Sequence, residues 1–467
     1  MSNNLDSKIT IPLLEMFRLE GLNGYKDITL RVEKNVKIIS AENGSGKTTL
    51  LNALYALLTG KPGSLLPINF ARLTLKFAGH DAIDASKEEL FPQLTEEVIE
   101  KSRALHTWRE ALAFGLTDSE FREAVLLRAM GADDFEECTG FRKLFEDSPY
   151  DREEIQTFCD RAIPEALAEG RFSEIHTQIK EAMGGVSVLY LPTFRRIEAD
   201  LPEFRRRSRV RTRHTRDDWD TDRLIFFGLQ DVERRLKTIT ADIRKSTFEA
   251  YSRISARTLD QLLAGGELST DIHPDAIDVV TLKVVLARLG KTDSEAEVRI
   301  TELIESGRIN EPEHLSLRSF LGQLLEIYKE KRDYEQAVES FVKVVDSYWD
   351  QPGGEKRFYF DKLTVNAEAV NTYTKGVLPL GALSSGEKQI VSIFARLYLD
   401  AGKRYLILID EPELSLSMEW QQKFLPDVLS APSCVQLIAI THSPFTFDNE
   451  LDPYAGPLEL AYSENNK

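Results

Sequence analysis

The stretch from Val36 to Leu58 constrains the fold more than any other. Val36-Lys37-Ile38-Ile39-Ser40 is a β-branched run that reads as a strand, and it opens into Ala41-Glu42-Asn43-Gly44-Ser45-Gly46-Lys47-Thr48. From there Leu50, Leu51, Leu54, Leu57 and Leu58 return at helical spacing until Gly60 and Pro62 end the run. Strand, glycine-rich turn and helix in this order set backbone N–H groups of small residues at a helix N-terminus, where they converge on an anion. A lysine closing such a turn reaches β- and γ-phosphate oxygens, and the hydroxyl after it takes a place on Mg²⁺. Asn43, Gly44, Ser45, Gly46, Lys47, Thr48 and Thr49 are therefore the candidate phosphate cradle, with Thr48 also a metal ligand. Ala41 stands where the pattern usually has its first glycine, and its methyl group is the smallest intrusion a side chain can make.

A chain of 467 residues, 42% apolar and 29% charged, has ample core for one large composite domain or for two to three ordinary ones. No apolar run approaches the ~20 residues of a membrane span, so a cytoplasmic protein without membrane contact is expected. Cys138, Cys159 and Cys434 are scattered, with no C-x-x-C pair, and read as buried free thiols. The net charge of −17 argues against a protein that coats nucleic acid indiscriminately. Against that acidic background, Arg205, Arg206, Arg207 and Arg209 sit in an arginine-rich island between Arg195 and Arg216. Arginine forks suit DNA phosphates and the carboxylates of a DNA-mimicking phage protein equally, while an exposed loop paired with the acidic stretch Asp133 to Glu154 explains the island as well.

Along the chain, Leu13 to Leu19 and Ile28 to Val32 read as strands, and Ser86 to Met183 as helical. Val186 to Leu191 and Leu224 to Leu229 read as strands again. Asp231 to Leu263 and Leu317 to Tyr348 predict two long helices able to pair antiparallel as an arm of about 45 Å. Phe358 to Val370 alternates in strand fashion.

Three further motifs follow. Tyr405 to Ile409 is a buried-strand pattern ending in Asp410-Glu411-Pro412: Asp410 is placed to hold a metal-bound water, and Glu411 to orient a water attacking a γ-phosphate. Leu383-Ser384-Ser385-Gly386-Glu387 fits a helix-capping turn. It also resembles the LSGGQ signature of ABC ATPases in its SMC-like LSSGE form. Thr441-His442-Ser443-Pro444 follows the strand-like Val435 to Ile440 and resembles that family's switch-histidine element.

Together the four motifs identify a resemblance to SMC-like or RecF-like ABC ATPases, covering Ile11 to Leu58 and Leu363 to Asp448. The resemblance implies an α/β fold: an ABC-type P-loop NTPase head assembled from both chain ends, with a helical insertion and a short antiparallel helical arm. Its parts would be 1–62, a helical insertion lobe at 63–185, a return to the sheet at 186–230, the arm at 231–350 and the C-terminal part of the head at 351–467. It implies ATP and Mg²⁺, with Ser384, Ser385 and Gly386 contacting the nucleotide of a second copy, His442 sensing the γ-phosphate and Gln230 as a Q-loop metal contact. Ser417 stands where the related ELSLH pattern has histidine.

The segment Tyr190-Leu191-Pro192-Thr193-Phe194-Arg195-Arg196-Ile197-Glu198 resembles the ATPase subunits of the Septu, retron and PARIS antiphage systems. That resemblance implies assemblies larger than a dimer, such as a hexamer, and a separately encoded HNH or TOPRIM nuclease partner. OLD proteins have a similar ATPase part followed by a TOPRIM domain, for which the residues after His442 are too few. The alternative is a RecF-like repair ATPase that clamps duplex DNA.

Overall fold

The computed structural model describes residues 8–40, 44–91, 104–129, 132, 134–162, 171–192, 229–263, 279–288, 295–350, 353–400 and 402–462. The strands are β1 (Leu14–Leu22), β2 (Lys26–Arg31), β3 (Val36–Ser40), β4 (Arg72–Phe77), β5 (Ile83–Ser86), β6 (Ser187–Leu191), β7 (Lys356–Asp361), β8 (Asn366–Asn371), β9 (Val377–Leu378), β10 (Tyr405–Asp410), β11 (Cys434–Thr441), β12 (Ala455–Gly456) and β13 (Glu459–Tyr462). The chain divides into one compact unit of Met1–Phe226 with Lys403–Lys467 and a second of Phe227–Gly402.

In the first unit β12, β3, β11, β10 and β6 form a parallel sheet in that order. Every residue of β10 is buried, as a continuous run of Leu and Ile requires when both faces of a parallel sheet are covered. A second sheet, β13-β2-β1-β4-β5, is antiparallel. The helix Lys47–Leu58 shares one hydrophobic core with both, its Leu50, Leu54 and Leu57 joining Phe17 and Leu75 of one sheet and Leu408 and Ile438 of the other. Gln436, fully buried on β11, ties the sheets: its Oε1 accepts from Leu13 N–H at 2.9 Å and Leu14 N–H at 2.8 Å, and its Nε2 donates to Leu14 O at 2.9 Å. This is an α/β fold of one parallel and one antiparallel sheet, closed by strands from both ends of the chain.

The segment 63–185 begins differently from the helical lobe expected there: β4 and β5 fall inside it and extend the antiparallel sheet. Leu73, Leu75 and Phe77 alternate with Arg72, Thr74 and Lys76, which is a strand's period of two. The helices Ala104–Ala113, Asp118–Ala129, Thr139–Asp147 and Arg152–Asp160 then enclose a core of their own, including Trp108, Phe121, Phe141 and Phe158. Burial pushes the thiols of Cys138 and Cys159 there up to about 11 and about 12, so neither offers a nucleophile.

The second unit is built on two long helices, Leu229–Leu263 and Leu315–Trp349. They run antiparallel, with Tyr251 late in one edge-on to Phe320 early in the other at 6.2 Å. Leu229, the last residue of the strand expected at Leu224 to Leu229, starts the first helix, and the rest of that expectation lies outside the described residues. The hairpin of β7 and β8 is gripped at its turn, where Arg244 donates to Thr364 O and Val365 O at 2.9 Å each. Arg288 forms an almost fully buried bidentate pair with Glu335 and donates to Lys362 O of the same turn. Among the described residues no helix is long and apolar enough to cross a membrane.

Candidate active site

Three adjacent strands deliver the site. Ser40 of β3 pairs with Thr441 of β11, and Ile440 pairs with Asp410 of β10. The phosphate turn, the Thr441-His442-Ser443-Pro444 segment and Asp410-Glu411 therefore leave the parallel sheet at one carboxyl edge, the edge where open α/β sheets bind ligands.

Gly46 caps the helix Lys47–Leu58 with φ +92°, a backbone that strains any side chain, and a Cβ there would also push on Ile28 Cδ1 at 2.7 Å. Gly44 (φ +80°) faces open space. Lys26, buried on β2, donates from Nζ to Ser45 O at 2.5 Å and braces the turn from the antiparallel sheet. Local pattern does not reveal Lys26, whose partner is a backbone carbonyl far along the chain. Ser45 Oγ is buried without a hydrogen-bond partner, a state that costs about 1–3 kcal/mol unless an acceptor arrives. An oxygen-rich anion supplies that acceptor, so the cradle fits a phosphate group.

Lys47 is 5% exposed. Burial pushes its ammonium below the ordinary lysine value, against the pull of the Asp410, Glu411 and Glu413 carboxylates. Thr48 and Thr49 follow, half-buried, in the helix's first turn. Tyr190 of β6 donates its hydroxyl to Asn52 Oδ1 at 2.8 Å and fixes the helix over the sheet. A threonine hydroxyl and a buried strand-end carboxylate are hard oxygen donors suited to Mg²⁺. Thr48 and Asp410, which is 4% exposed, are residues of these two kinds.

Glu411 takes a left-handed backbone, φ +55°, yet its N–H still donates to Ile440 O at 2.9 Å. Beyond it, both oxygens of Glu413 are engaged: Oε2 accepts from Thr441 Oγ1 at 2.8 Å and Oε1 from His442 N–H at 2.8 Å. Gln421 adds a second tie, accepting from Ser443 Oγ at 2.7 Å and donating to Leu416 O at 3.0 Å. His442 is exposed beside this tie. Glu413 and Gln421 are absent from the sequence-derived site because their partners lie some two dozen residues away. Ser417 caps the helix Met418–Ser430, accepting from Trp420 N–H at 3.4 Å.

Ser384, Ser385, Gly386 and Gln230 belong to the second unit. Ser384 caps the helix Ser385–Leu399 in a reciprocal box: its Oγ accepts from Glu387 N–H, and Glu387 Oε2 accepts from Ser384 N–H at 2.7 Å. Lys356 of β7 donates to both Glu387 oxygens at 2.9 Å. Gln230 lies in the first turn of the helix Leu229–Leu263. Asn43 and the arginines Arg205, Arg206, Arg207 and Arg209 lie outside the described residues.

Among known families, an AAA-domain model whose description names the AbiEii toxin and a type IV TA system matches residues 191–448, and a second AAA-domain model matches residues 17–121. The crystal structure of an Smc head domain with an extended coiled coil bound to the C-terminal domain of ScpA, from Pyrococcus furiosus, is similar at 15% identity and a TM-score of 0.36, covering 97% of each chain. An Smc head bound to the C-terminal winged-helix domain of ScpA is similar at 12% identity and a TM-score of 0.35, covering 97% of this chain and 98% of that one. No curated protein matches.

Proposed function

Since the chain belongs to the AAA-domain ATPase family whose model spans residues 191–448, we propose that it binds ATP around Lys47 and hydrolyses it through Glu411. One observation carries this reading: neighbouring strands of the parallel sheet bring Asp410 and Glu411 to the same carboxyl edge at which the buried Lys47 begins its helix. Backbone N–H groups after Gly44, the Ser45 hydroxyl and Lys47 bind the β- and γ-phosphates. Thr48 and Asp410 would hold Mg²⁺, which when bound would neutralise charge developing on the phosphate oxygens. Glu411 orients the attacking water and takes its proton, and His442 faces the γ-phosphate.

The finer reading is an ATPase of an abortive-infection or antiphage response, whose effector chemistry is supplied by a separate nuclease chain. The AbiEii name in the family description supports the abortive-infection part of this reading. The RecF-like alternative predicts ATP turnover stimulated by duplex DNA in the absence of any partner, whereas the defence reading predicts turnover indifferent to DNA.

The test is steady-state ATP turnover with nucleotide affinity measured alongside. Lys47→Ala should abolish nucleotide binding, and Glu411→Gln should keep binding while lowering kcat by about 10²-fold or more, as removal of a catalytic acid–base does. Unchanged turnover in both variants sinks the assignment.

A further inference from the structure

Resting on the ATPase reading above, we infer that Glu413 is a positioning residue for hydrolysis, whose carboxylate clamps the loop carrying His442 to the loop carrying Glu411. The two loops leave neighbouring strands, β10 and β11, and beyond the last rung from Glu411 N–H to Ile440 O the ladder offers them nothing further. Glu411 and Ser415, left-handed at φ +55° and +66°, bracket Glu413 and bend the chain back toward β11. A non-glycine residue in that region is strained and persists only where surrounding contacts hold it. Glu413 supplies such contacts, with one oxygen on the Thr441 hydroxyl and the other on His442 N–H. The receiving side is itself rigid: Thr441 and Thr446 are fully buried, and Thr446 Oγ1 bonds Thr441 Oγ1 at 3.0 Å and Ser443 O at 2.7 Å. Glu411 and His442 are thereby held to one spacing by a group that needs no contact with the nucleotide.

Two substitutions separate this role from a role of negative charge. Glu413→Gln removes the charge but keeps the reach: the amide oxygen accepts His442 N–H, and the amide nitrogen donates to Thr441 Oγ1, which also accepts Ser443 N–H at 3.0 Å and turns its own hydrogen to Ser443 O at 3.3 Å, the Thr446 hydroxyl donating to Ser443 O at 2.7 Å. Glu413→Asp keeps the charge and shortens the side chain by one methylene, so that both bonds cannot be made together.

Measured on the full chain, Glu413→Gln should keep kcat within about threefold of the wild type. Glu413→Asp should lower kcat about tenfold or more, a loss typical of small misplacement of catalytic groups, with the nucleotide Kd within about threefold in both. Thermal melting confirms that both variants are folded. The reverse order, with Gln inactive and Asp active, overturns the clamp in favour of an electrostatic role. Wild-type kcat in both variants, or a change confined to Kd, overturns it as well. If the wild type shows no Lys47-dependent turnover, the ATPase reading falls, and this role with it.

Discussion

Lys47 is the residue whose environment most shapes the site. Its depressed pKa in the nucleotide-free protein, caused first by burial, means that it surrenders its proton at a lower pH than a solvated lysine does. A bound triphosphate favours the charged form and raises the pKa again. Well below the depressed value lysine is charged in both states, and affinity is independent of its titration. As pH rises through the depressed value, binding must first restore the proton, so affinity falls by up to about tenfold per pH unit until the bound-state pKa is reached. Nucleotide Kd measured from pH 7 upward should show this alkaline loss, with proton uptake detectable as a buffer-dependent heat. A flat profile that persists into the ordinary lysine range would contradict the proposed contact. Lys47 was legible in the sequence because its neighbours in the chain are its neighbours in the site. Lys26 and Glu413 were not, because their roles come from partners that the fold brings in from elsewhere.

Among elements, legibility followed burial. β10 announces itself as an unbroken apolar run, Tyr405 to Ile409, because both faces of its sheet are covered, and β3 and β11 as apolar runs interrupted at Lys37 and Gln436. The short alternating β4 and β5 lie against a helical stretch and merged with it, although Leu73, Leu75 and Phe77 carry the period. The signature helix supported two readings from sequence, a capped N-terminus and a nucleotide contact, and the capping box is present in full. Burial raises the Glu387 carboxyl, but bonds from Lys356 and Ser384 outweigh it and leave the group below its ordinary value. A depressed carboxylate contributes stability that is present above the unfolded pKa and lost as pH falls through the folded one. Ser384→Ala should therefore cost about 1 kcal/mol of stability at neutral pH. The difference from wild type should shrink in acid below the usual glutamate range, where Glu387 is protonated and the box is already weakened. Paired thermal melts at neutral and acid pH measure it, and a gap that widens in acid would contradict the box as its source.

At the scale of the whole molecule, the phosphate cradle belongs to one compact unit and the signature helix to the other. If ATP is sandwiched between two copies, the exposed Ser385 at the start of the helix Ser385–Leu399 faces a triphosphate held by the partner's Lys47. Ser385→Glu tests this with opposite signs in the two settings. A carboxylate in a helix's first turn is favourable toward the helix dipole by about 0.3–1 kcal/mol, so the isolated chain should be as stable as the wild type or slightly more so. The same carboxylate repels a triphosphate, so association through nucleotide should fail. In a Glu411→Gln background, where hydrolysis is blocked, native mass with MgATP should show a dimer or a larger assembly that the added Ser385→Glu reduces to monomer. Nucleotide affinity at the chain's own Lys47 should be unaffected. The assay belongs at physiological ionic strength, because two chains of net charge −17 repel and a Debye length of about 8 Å screens that repulsion. An assembly that survives Ser385→Glu would place its interface elsewhere on the molecule and remove the signature helix from the nucleotide site.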